Sequence, residues 1–168
     1  RSITRDLRTM LFTLRPVVLE TQGLAPALRQ YGERLQETDG LIVEVDASHF
    51  DVDLPDDTAG VVFSILEEAI NNARKHAQAR RVVVTLERRG EVMHAGVRDD
   101  GIGFDLGLVQ QTYDQRGSLG LMSMKERADL LAGALVIDTQ PGQGTVVSLR
   151  IPLPAAASAS WSFPFQEP

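Results

Sequence analysis

Apolar side chains along this chain recur in two rhythms, one of three to four residues and one of two. Ile3, Leu7, Met10, Leu11 and Leu14 keep the spacing of an amphipathic helix that Pro16 ends, and with no N-cap ahead of it this helix is expected to begin further upstream. The spacing returns at Leu24, Leu28, Tyr31 and Leu35, between a turn at Gln22-Gly23 and a stop at Asp39-Gly40. Two helices are therefore predicted ahead of any strand. Leu41 to Val45 alternates as a strand, and Leu54-Pro55-Asp56-Asp57 supplies the turn and N-cap of a long helix from about Thr58 to Ala77. Two β-branched runs, Val82 to Leu86 and Val92 to Val97, join at Arg89-Gly90 as a hairpin. From Asp99 to Gly117 the chain is rich in Gly, Asp and Gln with weak periodicity, and so long a stretch is more often a functional loop than a connection. A helix from Leu119 to Leu131 follows and ends at Gly133. Strands at Ala134 to Ile137 and Thr145 to Ile151 then flank a Pro141-Gly142 turn, and Pro152 closes the domain.

This order predicts an α+β fold, a two-layer sandwich with helices packed on one face of a mixed sheet. Residues 1–16 are read as the end of a helix from a preceding unit and 17–153 as the domain. Residues 154–168, rich in Ala and Ser with Trp161, Phe163 and Phe165 near the end, are read as a mobile tail. Composition changes the picture in three places. At 168 residues, 43% hydrophobic and 24% charged, the chain holds one ordinary core. With no cysteine, disulfides, thiolate metal sites and Cys nucleophiles are excluded. A formal charge of −6 argues against nucleic acid or anionic lipid as a general partner, so any phosphate must be held locally by amides, a metal and a few cations. No apolar run is long enough to span a membrane and no secretory start is present.

On the long helix, Val61, Val62, Ile65, Leu66, Ala69, Ile70 and Ala73 fill the core-facing half. Glu68, Asn72 and His76, four apart, run along one edge of that arc with Lys75 beside them, while Glu67 and Asn71 point the other way. A carboxylate and an amide at the edge of a buried face cost stability unless paired or facing a polar cavity, and together they make a plausible magnesium shell. A solvated helix edge is the plainer account of any one of them; three in register beside a glycine-rich loop favour a site. That loop, Asp99-Asp100-Gly101-Ile102-Gly103-Phe104, follows a strand, where glycine permits close backbone approach. Gly117 and Gly120 open the next predicted helix, whose free amides favour phosphate. Each glycine pair alone is as compatible with a plain turn as with a phosphate site. Neither a P-loop nor a dinucleotide fingerprint is present. Thr145, after Gly144, is by itself a good strand residue.

Taken together, Glu68-Glu-Ala-Ile-Asn72-Asn-Ala-Arg-Lys75-His76-Ala, Asp99-Asp-Gly101-Ile-Gly103-Phe-Asp, Gly117-Ser118-Leu119-Gly120-Leu121-Met-Ser-Met-Lys-Glu-Arg127-Ala and Gly144-Thr145 resemble the GHKL ATPase domain of sensor histidine kinases. The subfamily resembled is the nitrate-sensor and cell-envelope-stress type, and the resemblance covers roughly Gly23 to Pro152. The opening residues, Asp6 to Pro16, resemble the end of that subfamily's second dimerisation helix. The resemblance implies ATP and Mg2+, with Asn72 as the magnesium ligand and Glu68 as the catalytic residue that polarises the attacking histidine. It implies that Asp99 accepts from the adenine amino group with Thr145 in support through its hydroxyl, and that Gly101 and Gly103 let the chain pass the nucleotide. Gly117, Ser118, Leu119, Gly120 and Leu121 bring the chain to the phosphates under a lid from about Asp105 to Arg116, and Lys75 and His76 contact phosphate or ribose. Asp100 stands where an Asn is common. The acceptor histidine is missing from this chain; His49, His76 and His94 lie in the wrong contexts to replace it.

The partners implied are the protein's own dimerisation and phosphoacceptor domain, the receiver domain of a response regulator and, in the full-length protein, a second copy of the chain. A cytoplasmic setting is implied with them. Two other readings stand beside this one: another GHKL ATPase or serine kinase, and a nucleotide-binding regulatory module without transfer activity. The opening helix and Met124-Lys-Glu-Arg127-Ala speak against the first, the retained Glu68 and Asn72 against the second.

Overall fold

In the computed structural model, which describes residues 16–111 and 116–154, the longest helix runs from Asp56 to His76. It begins two residues before the expected Thr58. Pro55 occupies the cap position without a side-chain cap, and its fixed φ brings Asp56 and Asp57 directly into the first turn. These acids face the positive end of the helix dipole, and Arg74, Lys75 and His76 face the negative end.

Counting along the chain, helices α1 (Val17–Gln22) and α2 (Leu24–Asp39) come first, then strand β1 (Ile42–His49) and the long helix, α3. Strands β2 (Arg81–Arg89) and β3 (Val92–Asp99) form the hairpin. Helices α4 (Leu106–Gln111) and α5 (Arg116–Leu130) follow, and strands β4 (Ala134–Thr139) and β5 (Thr145–Pro152) close the order. Helix α1 was not expected: Pro16 stands at its cap position, where a missing N–H costs nothing, and so opens a helix. The predicted helix from Arg1 to Leu14 and the tail at 155–168 lie outside the described residues, as does 112–115 of the predicted lid. Strand β1 continues four residues past the expected Val45, keeping its alternation while exposed polar residues hold the outer face. The lid segment, expected as an irregular loop, holds α4.

The sheet order is β1-β2-β3-β5-β4, with β1 and β2 parallel and every other neighbour antiparallel. The expected mixed sheet with helices on one face is present. On the face beneath α3 the register aligns Val84, Val97, Val147 and Ile137 in one row and Leu86, Ala95, Leu149 and Leu135 in the next. Ile65, Leu66 and Ile70 of α3 are fully buried against these rows, each worth roughly 1.5–3 kcal/mol in apolar surface removed from water. The buried arc of α3 is wider than its spacing implied. Val61 is half-buried, and Phe63 is buried because Tyr31 of α2 meets its ring edge-on, with centroids 6.1 Å apart and planes at 72°.

Candidate nucleotide site

The row at the end of this core face breaks the apolar pattern. There the register places Val82, Asp99, Thr145 and Thr139 side by side across β2, β3, β5 and β4. Asp99 is 7% exposed and is the one buried charged or polar side chain of the core among the described residues. Burial pushes its carboxyl above the ordinary value; the backbone N–H groups of Gly101, at 2.8 Å, and of Thr145 act in the opposite direction.

A cavity of about 400 Å³ opens above Asp99 and Thr145. Helix α3 supplies Asn72, Ala73 and His76 to its wall, the β3 side Val97, and α5 Leu121 and Met124; Gly103 and Phe104 complete one edge. The lining is apolar except for Asn72, His76, Asp99 and Thr145, the composition of a site that encloses a small organic ligand and fixes its orientation by few hydrogen bonds.

The loop after β3 is held by hydrogen bonds to three neighbouring segments. Asp100 Oδ1 accepts from the Arg80 and Arg81 N–H groups at 2.9 and 3.0 Å, Ile102 N–H donates to Ala77 at 2.8 Å, and Phe104 N–H donates to Thr139 Oγ1 at 3.1 Å. The work asked of Asp100 is acceptance alone, which an Asn oxygen performs equally well. Those two N–H groups hold its carboxyl below the ordinary value. A Cβ on Gly101 would lie 2.5 Å from that of Ala77, so this glycine is required by the protein's own packing; it does not line the cavity. Gly103 does line it, and its φ of +60° with Gly144 O close by excludes a side chain.

Of the residues singled out from sequence, Asn72, His76, Asp99, Gly103, Leu121 and Thr145 line one cavity. Glu68 sits one turn before Asn72. A Cβ on Gly120 of α5 would fall on the Glu68 carboxylate and 3.8 Å from Asn72 Nδ2. Lys75 is exposed and outside the lining, and Leu119 is 64% exposed. Helix α5 already includes Arg116, ahead of the expected Leu119, so Gly117 and Ser118 lie within it. Gly120 falls beyond the amides that a helix leaves unbonded. The Thr145 hydroxyl meets Thr139 Oγ1 at 3.1 Å, and the Thr145 backbone N–H meets Asp99.

Glu67 and Asn71 face α2, away from the cavity. Asn71 hydrogen-bonds the Tyr31 hydroxyl and accepts from Arg74 Nε at 3.3 Å; burial foremost pushes Tyr31 up to about 12. Burial, then the neighbouring Glu68 charge, raises the Glu67 carboxyl, and Arg127 and Arg34 counter this. Sequence reasoning missed Met124 and Phe104 as lining and missed Thr139 altogether. Phe104 sat inside a quoted motif, but Thr139 carried no signal beyond its distance from Thr145.

Fold and cavity define an ATPase domain of the GHKL class. Residues 58–155 match the family described as histidine kinase-, DNA gyrase B-, and HSP90-like ATPase, and the chain belongs to that family. An uncharacterized sensor-like histidine kinase of Chloroflexus aurantiacus is 40% identical over 88% of this chain and 25% of its own length. The signal transduction histidine-protein kinase/phosphatase DegS of Brevibacillus brevis is 34% identical over 91% of this chain and 38% of its own. The chain thus spans well under half the length of these relatives. Among solved structures, the histidine kinase domain of the Erythrobacter litoralis EL346 blue-light activated histidine kinase superposes with a TM-score of 0.61 at 29% identity, covering 77% of this chain and 61% of that one. The fold is that of histidine kinase ATP-binding domains.

Proposed function

We propose that residues 17–153 form the phosphoryl-donating catalytic domain of a sensor histidine kinase of the nitrate-sensor and envelope-stress type. The observation that carries this reading is the buried Asp99 in a 400 Å³ cavity that Asn72 also lines, with Glu68 one turn before Asn72 on the same helix. The cavity suits a purine, and Asp99 and Thr145 offer its edge acceptors. Among the described residues no three His, Asp or Glu side chains cluster as a metal cage. That fits magnesium, which keeps waters and phosphate oxygens and would take Asn72 as its protein ligand; when bound it offsets phosphate charge. His76, Lys75, Gly117 and Ser118 are the groups that would meet the triphosphate.

In the transfer itself, the bond from the γ-phosphorus to its bridging oxygen breaks as a bond to the imidazole nitrogen of an acceptor histidine forms. Glu68 accepts the hydrogen bond of the other ring nitrogen and orients the nucleophile; the demand is positioning and charge neutralisation. The acceptor belongs to the protein's dimerisation domain, of which residues 1–16 would be the end, and a response-regulator receiver domain takes the phosphoryl group onward. No helix among the described residues is long and apolar enough to cross a membrane. The working protein is a homodimer in the cytoplasm.

Titration calorimetry with ADP and magnesium tests the first step. Binding by the wild-type chain that falls in Asp99→Asn supports the reading, and equal affinity in both rejects it.

A further inference from the structure

Thr139 contacts Phe104, Gly144 and Thr145 without lining the cavity itself. It is the cross-strand partner of Thr145, six residues away around the Pro141-Gly142 turn. Its hydroxyl has one proton and two lone pairs. The Gly144 carbonyl at 3.1 Å can only accept and so takes the proton; the Phe104 N–H at 3.1 Å can only donate and so occupies one lone pair. The remaining contact, 3.1 Å to Thr145 Oγ1, is therefore one in which Thr145 donates and Thr139 accepts. All three capacities of Thr139 are filled. The proton of Thr145 is thereby committed to Thr139, so that the hydroxyl of this cavity-lining residue, paired with Asp99 across the strands, has only lone pairs left to offer.

We propose that Thr139 is a positioning residue that sets the hydrogen-bonding polarity of Thr145 and thereby the preference of the cavity for a 6-aminopurine over a 6-oxopurine. This rests on the adenine reading of the Asp99 cavity. Two acceptors side by side match an exocyclic amine, which brings donors. A 6-oxopurine brings an acceptor to the same place and leaves buried groups unpaired, a mismatch that sites built on hydrogen bonds reject strongly. Without the Thr139 hydroxyl, the Thr145 proton is free to turn inward and meet an oxo group. Discrimination then weakens while the cavity keeps its shape.

The test titrates ADP and IDP, with magnesium, into the wild type, Thr139→Val, Thr139→Ala, Thr139→Ser, Thr145→Val and the Thr139→Val/Thr145→Val double variant. The wild type is expected to prefer ADP and Thr139→Ser to keep that preference. Thr139→Val is expected to lower the ADP-to-IDP affinity ratio about 10-fold, the scale of one hydrogen bond. With Thr145 already Val, adding Thr139→Val should leave the ratio unmoved, an outcome that general loosening would not give. Thr139→Ala removes the hydroxyl without a branched replacement, and whichever of the two keeps a cooperative thermal transition serves. An unchanged ratio in the folded variant, or an equal shift in the Thr145→Val background, overturns the proposal. If Asp99→Asn still loses ADP in that case, only the role of Thr139 fails; equal affinity of the wild type for ADP and IDP overturns the adenine reading with it.

Discussion

Glu68 and Gly120 face each other across the crossing of α3 and α5 so closely that any side chain at Gly120 would occupy the space of the Glu68 carboxylate. The atom in the way is the far end of a flexible side chain, so Gly120→Ala should displace the Glu68 carboxylate at small cost while gaining alanine's advantage of about 1 kcal/mol over glycine within a helix. Thermal unfolding should find the variant at least as stable as the wild type, while in a longer protein that contains the acceptor histidine phosphohistidine should form more slowly because Glu68 has moved. A lower melting temperature in the variant would show that the carboxylate has no room to give way.

Binding and chemistry should separate along the edge of α3. In a longer protein that contains the acceptor histidine, Glu68→Gln is expected to retain nucleotide affinity while phosphohistidine forms about 10²–10⁴-fold more slowly. Asn72→Ala should weaken magnesium-dependent binding and transfer together. Radiolabel transfer measured beside calorimetry distinguishes the two; wild-type transfer by Glu68→Gln would return Glu68 to a structural carboxylate.

Asp99 serves binding at the expense of stability. Burial raises its carboxyl above the ordinary value, so the folded state takes up a proton more readily than the unfolded chain, and stability falls as pH rises through the interval between the two values. Above that interval the penalty is complete. Asp99→Asn removes it and should melt at a higher temperature than the wild type at pH 7. The gain should vanish near pH 3, where the wild-type carboxyl is protonated. ADP affinity should fall about 10- to 100-fold, as expected for a lost hydrogen bond to a charged group.

Asp100 titrates in the opposite sense. Its carboxyl is held below the ordinary 3.8, so the stability it contributes is whole above that value and is lost as pH falls through the lower folded one. Asp100→Asn keeps an acceptor for the Arg80 and Arg81 amides at every pH. Melting curves from pH 6 to pH 2 should show the wild type losing any lead over the variant at the acid end; Asp100→Ala, with no acceptor, should be the least stable of the three at pH 6.

Much of this was legible because a helix repeats every 3.6 residues. Most of the buried arc of α3 and the polar edge of Asn72 and His76 followed from spacing, and so did the hairpin and the alternation of strands around Pro141-Gly142. What the spacing hid depends on contacts between elements. Phe63 is buried because Tyr31 comes from another helix to meet it, and Gly101 is needed because Ala77 stands behind it. Helix α5 reaches back past the expected Leu119 because Gly117 and Gly120 signal loop and helix onset alike. Thr139 was invisible because strand register, which sets it opposite Thr145, is fixed only when the sheet forms.

The row of Asp99, Thr145 and Thr139 also orders events in time. A ribosome finishes α3, with Glu68 and Asn72, some seventy residues before it finishes β5, since 145 is reached long after 72. Until the last hairpin docks beside β3, the chain holds a phosphate-facing helix edge with no purine pocket. Nucleotide therefore has nothing to grip on an unfinished domain, and ligand rescue of folding must act after the sheet closes, as a lock on the completed fold.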